Sequence, residues 1–375
     1  MKRKFLTTIL TVVMLAICFC GLTACLDDAT KGTNENNGNN DLDDGATPGI
    51  EYILREDGTY MVNNMGSSKE TDVIISSTYK GVPVTKINGS AFMYANQLES
   101  ITIPDSVIII GAKAFNNTAL YKNESNWEDE VLYIGKFLIE AKNTISGSYN
   151  IKQGTSVIAD DAFASRSGLT DVNIPDSVKE IGINAFYGCS GLTDLTLPSS
   201  VKVIQNKVFM NCSGLINLDL PDGITDIGWQ SFYGCSSLTN VTIPDSVTNI
   251  EMGAFSYCSK LTSITIPNSV TFIGQKQFEY CSELESIVIP DSITEIVSWT
   301  FMNCDALKSL TIPKSVIKIG QGIIENCGEL TDIYYEGTKS DWEDIEKNNY
   351  WNEQSGEYTI HCSDGTVPKK TYGIN

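Results

Sequence analysis

A single histidine, His361, serves the whole 375-residue chain, and no H-E-x-x-H, G-x-S-x-G, P-loop or G-x-G-x-x-G motif is present. Most histidine-dependent catalysis and the common nucleotide cradles are thereby removed. Carboxylates are too plentiful for any one pair to stand out as acid and base. No catalytic residue is assigned, the chain reads as non-enzymatic, and no cofactor is expected. Positive charge is scarce as well: 26 Lys and Arg face 46 Asp and Glu, a formal charge of −20. Such a surface repels phosphate backbones and anionic head groups, which excludes nucleic acid as a general partner. With 42% hydrophobic and 19% charged residues, the chain can still bury a large core, and wholesale disorder is ruled out.

The most apolar stretch lies at the start. Lys2-Arg3-Lys4 precedes a nearly uninterrupted apolar run from Phe5 to Phe19, and Leu22-Thr23-Ala24-Cys25 follows. The run is somewhat short for a membrane span and has no basic stop-transfer cluster behind it. This segment resembles the signal peptide and lipobox of bacterial lipoproteins. The resemblance implies cleavage of residues 1–24 and attachment of a diacylglycerol to the thiol of Cys25, placing the protein at an extracytoplasmic cell surface with a lipid anchor as its membrane contact. Residues 25–49 then form an acidic linker rich in Asn, Asp and Gly, with too little apolar surface to offset its ordering entropy. Asp41, Asp43 and Asp44 before Gly45 do not have EF-hand spacing and read as part of this tether.

Self-similarity dominates the rest. Pro175, Pro198, Pro221, Pro244, Pro267, Pro290 and Pro313 are each 23 residues apart. Phe163, Phe186, Phe209, Phe232, Phe255, Phe278 and Phe301 keep the same interval, with Ile324 in the next slot, and so do Cys189, Cys212, Cys235, Cys258, Cys281, Cys304 and Cys327. One cycle reads CSSLTNVTIPDSVTNIEMGAFSY from Cys235. Its Leu238-x-x-Val241-x-Ile243 portion alternates with period two and predicts a short strand with Val241 and Ile243 facing inward. Pro244 ends that strand, and Pro244-Asp245-Ser246 supplies a turn. Val247, Ile250, Ala254 and Phe255 send further apolar groups inward. A unit this small has no core of its own and buries its apolar faces only by stacking on its neighbours, so a solenoid is required.

The pattern C-S-x-L-x-x-I-x-I-P-x-S-V-x-x-I-x-x-x-A-F resembles the BspA-like leucine-rich repeat of bacterial surface proteins. It covers residues 87–330, where earlier units are legible in Ala91-Phe92, Leu98-x-x-Ile101-x-Ile103-Pro104 and Ala114-Phe115. The fold implied is an α/β repeat protein, a leucine-rich-repeat solenoid with one short strand per coil forming a parallel sheet. Residues 121–150 depart from the repeat, because Phe115 and Phe163 are 48 residues apart instead of 46. There Val131-Leu132-Tyr133-Ile134 and Phe137-Leu138-Ile139 read as a hairpin, a degenerate repeat more readily than a ligand site. A solenoid exposes an apolar cross-section at both ends, and residues 50–86 and 331–375 read as its caps. The first holds a hairpin from Tyr52-Ile53-Leu54 to Asp57 through Val62. The second holds a helix starting near Ser340 or Asp341 and a last strand at Tyr358 to Cys362, with Trp342 and His361 assigned to cap packing.

Stacking places equivalent residues about 4.8 Å apart and turns each position into a ladder. The Phe ladder belongs to the core. The Cys ladder lacks the short convergent spacing of a metal site and reads as buried free thiols, with disulfides the alternative. The outward strand positions Asp171, Asp194, Asn217, Asn240 and Ser263, with Asn173, Thr196, Asp219, Thr242 and Thr265, form a polar face suited to a sugar or an extended peptide. They lack the Trp, Tyr and Arg of interface hot spots. Asp105, Asp176, Asp222, Asp245 and Asp291 after the repeat proline read as exposed turns. The family resemblance implies adhesion: a monomer binding an extracellular or cell-surface protein or glycan. A carbohydrate-handling enzyme using Tyr121 to Asn150, and a passive envelope spacer, are the competing readings.

Overall fold

The structure is a computed structural model, and it describes residues 42, 43 and 45–369. The segment expected to be a signal peptide, Cys25 and most of the expected acidic linker lie outside these residues.

From Gly147 onward each coil begins where the leucine-spaced segment alternates. Asn240–Thr242 is a three-residue strand with Val241 buried and both neighbours exposed. It pairs in parallel with Ser263–Thr265, matching Asn240 to Ser263 and Thr242 to Thr265. The register step equals the sequence period of 23, as the repeat requires. After the proline turn a second, two-residue strand follows. Asn249–Ile250 pairs with Asp226–Ile227 on one side and Phe272–Ile273 on the other. The solenoid of about 13 turns therefore stands as expected, but each regular coil carries two strands and no helix. Among the described residues the α-helices are Ala119–Lys122 and Lys339–Asp344, both outside the regular coils.

The side opposite the first strands is held by a different backbone geometry. Two residues per coil, four apart around the phenylalanine, have positive φ, as in Lys207 (57°) and Asn211 (61°). Alternating these with right-handed residues aims successive peptide units along the solenoid axis. The N–H groups of Lys207, Phe209 and Asn211 accordingly donate to the carbonyls of Trp229, Ser231 and Tyr233 in the next coil, at 2.9, 2.9 and 2.7 Å. These backbone groups thus find partners in the next coil without forming a strand.

Inside, the rings from Phe163 to Phe301 stack 5.1 to 6.3 Å apart and within 14° of parallel. All are essentially inaccessible, and each contributes roughly 1.5–3 kcal/mol by transfer from water. The seven cysteines of the ladder are unbridged and buried. Each thiol donates to the carbonyl of the phenylalanine one coil back, as Cys258 Sγ does to Phe232 O at 3.3 Å. The thiols are thus hydrogen-bonding members of the core, more than small hydrophobes.

The irregular stretch is built as a wall. Val131–Ile134 and Phe137–Ala141 form the antiparallel hairpin expected from the sequence, and Phe137–Leu138 also occupies the second-strand slot beside Val157–Ile158. The hairpin is buried on both faces. Val131, Leu138 and Ala141 face the large core that runs to Ile360, while Leu132, Ile134, Phe137 and Ile139 face a separate core that begins at Ile50. It is a septum between two cores, and it interrupts the first-strand sheet, which pairs Asp72–Ile74 with Ser100–Thr102 and resumes at Gly147–Asn150.

The ends are closed as a stacked array demands. Glu51–Leu54 and Tyr60–Asn64 pair antiparallel, and Val82–Ile87 starts the second-strand series beside Ile109–Ile110. Asp43, placed in the linker by sequence, accepts from the backbone of Ser77 and Thr78 at 2.7 and 3.1 Å and ties that segment to the cap. At the other end the helix Lys339–Asp344 is capped by Thr338, whose hydroxyl and backbone complete a capping box with Asp341. The N-cap is therefore Thr338 and neither Ser340 nor Asp341. Trp342 is buried against Tyr335 and Trp351, at 5.3 and 5.8 Å between rings.

Candidate functional site

The outward strand positions are the first candidate. Asp171, Asp194, Asn217, Asn240 and Ser263 form one exposed row, and Asn173, Thr196, Asp219, Thr242 and Thr265 form the other. The parallel register brings each to its counterpart one coil on. Many rungs bond to one another: Asn217 Nδ2 donates to Asp194 Oδ1 at 2.7 Å, Ser263 Oγ to Asn240 Oδ1 at 2.7 Å, and Ser148 Oγ to Asp171 Oδ2 at 2.9 Å. Hydrogen bonds from Asn217 and Thr193 hold the Asp194 carboxyl below the usual carboxylate range. A ligand on this face must compete with these internal bonds, which lowers the gain per contact.

At its C-terminal end the same face changes character. Asp332–Tyr335 and Thr359–Cys362 continue the sheet, so Tyr334 and His361 fall on the outward row on which Thr311 also lies. The two rings stack 5.0 Å apart, and His361 Nε2 meets Asp332 Oδ1 at 2.7 Å. His361 is half-buried and packs within the cap, as Trp342 does, but it also lies on this outward row. The sequence concealed this because a single histidine in a non-repeating tail has no ladder to mark its side.

The second candidate lies beside the septum. A cleft of about 410 Å³ opens between the helix Ala119–Lys122 and the strand Phe137–Ala141. Arg166 takes the slot that cysteine fills in the next seven coils, and its buried guanidinium donates to the carbonyls of Ala141 and Ala164. It also meets Glu140 at 3.4 Å. Burial raises the Glu140 carboxyl above its ordinary value against the pull of Arg166. Burial first, then the nearby Glu140 carboxylate, pushes the Tyr121 phenol up to about 12. Trp127 stands at right angles to Tyr121, 5.2 Å away, with its Nε1 donating to the Tyr121 carbonyl. Sequence reasoning marked the stretch as irregular but missed this grouping. The available signal was Arg166 itself, a charge where the ladder calls for a small buried group.

The post-proline aspartates are dispersed on exposed turns, with Asp105 paired to Lys136 at 2.7 Å. Among the described residues no group of three His, Cys, Asp or Glu is placed to hold a metal ion, and no helix is long and apolar enough to cross a membrane.

The chain matches the BspA type leucine rich repeat region, in six copies, over residues 71–146, 142–261 and 226–357. No curated protein matches it. Solved structures similar to it include a leucine rich cell surface protein from Faecalibacterium prausnitzii A2-165, 25% identical, covering 84% of this chain and 100% of its own, with a TM-score of 0.29. A leucine-rich repeat protein from Bacteroides ovatus ATCC 8483 is 24% identical over 84% of this chain and 99% of its own, with a TM-score of 0.37. Another from Eubacterium ventriosum ATCC 27560 is 19% identical over 88% and 96%, with a TM-score of 0.45. With the 23-residue coils, the phenylalanine and cysteine ladders and a family match spanning most of the sequence, this chain belongs to the BspA type leucine-rich-repeat proteins.

Proposed function

We propose that this protein is held at a bacterial surface by a lipid on Cys25 and works there by non-covalent contact, as an adhesin for an extracellular or cell-surface protein or glycan. The observation that carries this reading is the outward face of successive first strands from Gly147 to Thr359. Ten coils are spent on holding one exposed polar surface in a fixed register, and a rigid, pre-ordered surface lowers the entropic cost of binding. The BspA type family is one of bacterial surface proteins, and the leader sequence Lys2 to Cys25 agrees with that location. The short Asn, Asp, Ser and Thr groups favour hydroxyl-rich or extended-backbone partners, while Tyr334 and His361 add an aromatic edge at the end of the face. The chain works as a monomer without a cofactor, and contact without catalysis is the function assigned.

Two measurements test this. Cys25→Ser abolishes incorporation of labelled fatty acid; persistence of label defeats the lipid anchor. The full chain, screened against glycan and extracellular-protein arrays, gives micromolar binding that falls at least about tenfold when Asn240 and Thr242 are both replaced by lysine. Absence of any binding at that concentration leaves a passive spacer in place of an adhesin.

A further inference from the structure

We propose that the cleft beside the septum binds a single acidic sugar residue, such as the uronic acid at the end of a glycan. The proposal concerns a separate place from the outward strand face and stands or falls independently of it.

The cleft lies where the hairpin takes the place of a first strand between Thr102 and Gly147. The volume of about 410 Å³ lies in the range of small-molecule sites and is ample for one monosaccharide. Its floor is anchored by Arg166, a charged side chain only 9% exposed, together with the Glu140 carboxylate at 23%. Arg166 is held from three sides by carbonyls and Glu140, so the floor is pre-organised.

The chemistry of the lining narrows the ligand. Asn117 and Asn143 supply amides that both donate and accept, Glu140 accepts, and Lys122 and Lys142 donate. Hydroxyl groups, which donate and accept at once, fit such a mixture; a purely apolar or purely cationic ligand does not. Trp127 and Tyr121 add an apolar wall for the C–H face of a sugar ring. Charge then selects among sugars. The lining holds three cations, Arg166, Lys122 and Lys142, against two carboxylates, Glu124 and Glu140, a local excess of one positive charge on a chain carrying −20. Lys142 sits 5.1 Å over the Trp127 ring and is paired with Glu124. A ligand carboxylate entering beside the tryptophan takes up Lys142 in place of that rim pair.

The test compares D-glucuronate with D-glucose on the full chain by ligand-observed nuclear magnetic resonance. Glucuronate is expected to bind in the millimolar range and glucose at least about tenfold more weakly. Lys142→Glu is expected to remove the preference, as is Lys122→Glu, a second variant at an exposed rim position that guards against misfolding of the first. The double replacement of Asn240 and Thr242 by lysine leaves glucuronate binding unchanged. Failure of glucuronate to bind at 20 mM (roughly the weakest useful affinity), equal binding of the two sugars, or an unchanged preference in both lysine variants with normal circular dichroism overturns the proposal.

Discussion

Cysteine shows how a repeated residue acquires a role from its place. Burial pushes the Cys189, Cys258 and Cys327 thiols up to about 12 and those of Cys212, Cys235, Cys281 and Cys304 well above their ordinary value. A protonated, buried thiol engaged with a carbonyl is a poor nucleophile. Of the eight described cysteines, a thiol reagent should therefore modify only half-buried Cys362 in the native protein, and all eight after denaturation. Rapid native labelling of any member of the ladder would contradict its packing.

Asp160 carries a different consequence. Burial raises its carboxyl to about 6, while its Oδ1 accepts the Ile183 N–H at 2.8 Å. The folded chain therefore binds a proton that the unfolded chain releases between about pH 4 and 6, and the stability attached to this group declines as pH rises through that window. Asp160→Asn keeps the acceptor and removes the charge. It should stabilise the protein by roughly 1–2 kcal/mol at pH 7 and change little near pH 3.5, as read from denaturation midpoints at the two pH values. A loss of stability at pH 7 would show that Lys86, which attracts the carboxylate, outweighs burial.

At the scale of the element, the coils alternate in pairs. Gly182, Gly228, Gly274 and Gly320 recur every 46 residues, and each lies where an added Cβ would come within about 2.3 to 2.6 Å of the preceding coil's backbone. In the coil before, Asn206 Oδ1 accepts the Trp229 N–H at 2.9 Å, as Asp160 does for Ile183 and Ser298 Oγ for Gln321. Glycine permits the close approach that brings the side-chain acceptor to the amide. Gly228→Ala should accordingly cost about 1–3 kcal/mol, while Gly328→Ala, where nothing lies within 4 Å, should stay within about 0.5 kcal/mol. Equal effects in urea denaturation would disprove the close-approach account. This two-coil rhythm was readable as spacing, but its cause was not. Sequence shows which residue recurs and leaves out which neighbour it must avoid.

For the whole molecule, the septum matters most. Repeat arrays couple neighbour to neighbour, yet here the buried side chains divide into one core with members from Ile50 to Ala159 and another with members from Val131 to Ile360, which overlap in sequence only around the hairpin. Phe92→Ala, which removes a ring stacked 5.6 Å from Phe115, should lower native-state hydrogen-exchange protection across residues 50–130 and leave the Phe232 to Phe278 coils protected. A uniform loss along the chain would mean that the hairpin transmits strain and joins the cores.

Period and composition by themselves determined the solenoid, its 23-residue register, the inward phenylalanines and the outward polar rows, because a unit too small to bury its own apolar face has one way to do so. The hairpin Val131 to Ile139 was legible too. Its double-sided burial was not, since alternation reports that a strand has two faces but not that each meets a separate core. Tertiary structure alone decided that a second strand replaces any helix in the coil, that the thiols cap phenylalanine carbonyls, that His361 joins Tyr334 on the outer face, and that Arg166, Glu140, Tyr121 and Trp127 surround one cleft. Those residues are up to 45 positions apart and follow no period, so only the folded chain, through the space left where a coil is missing, brings them together.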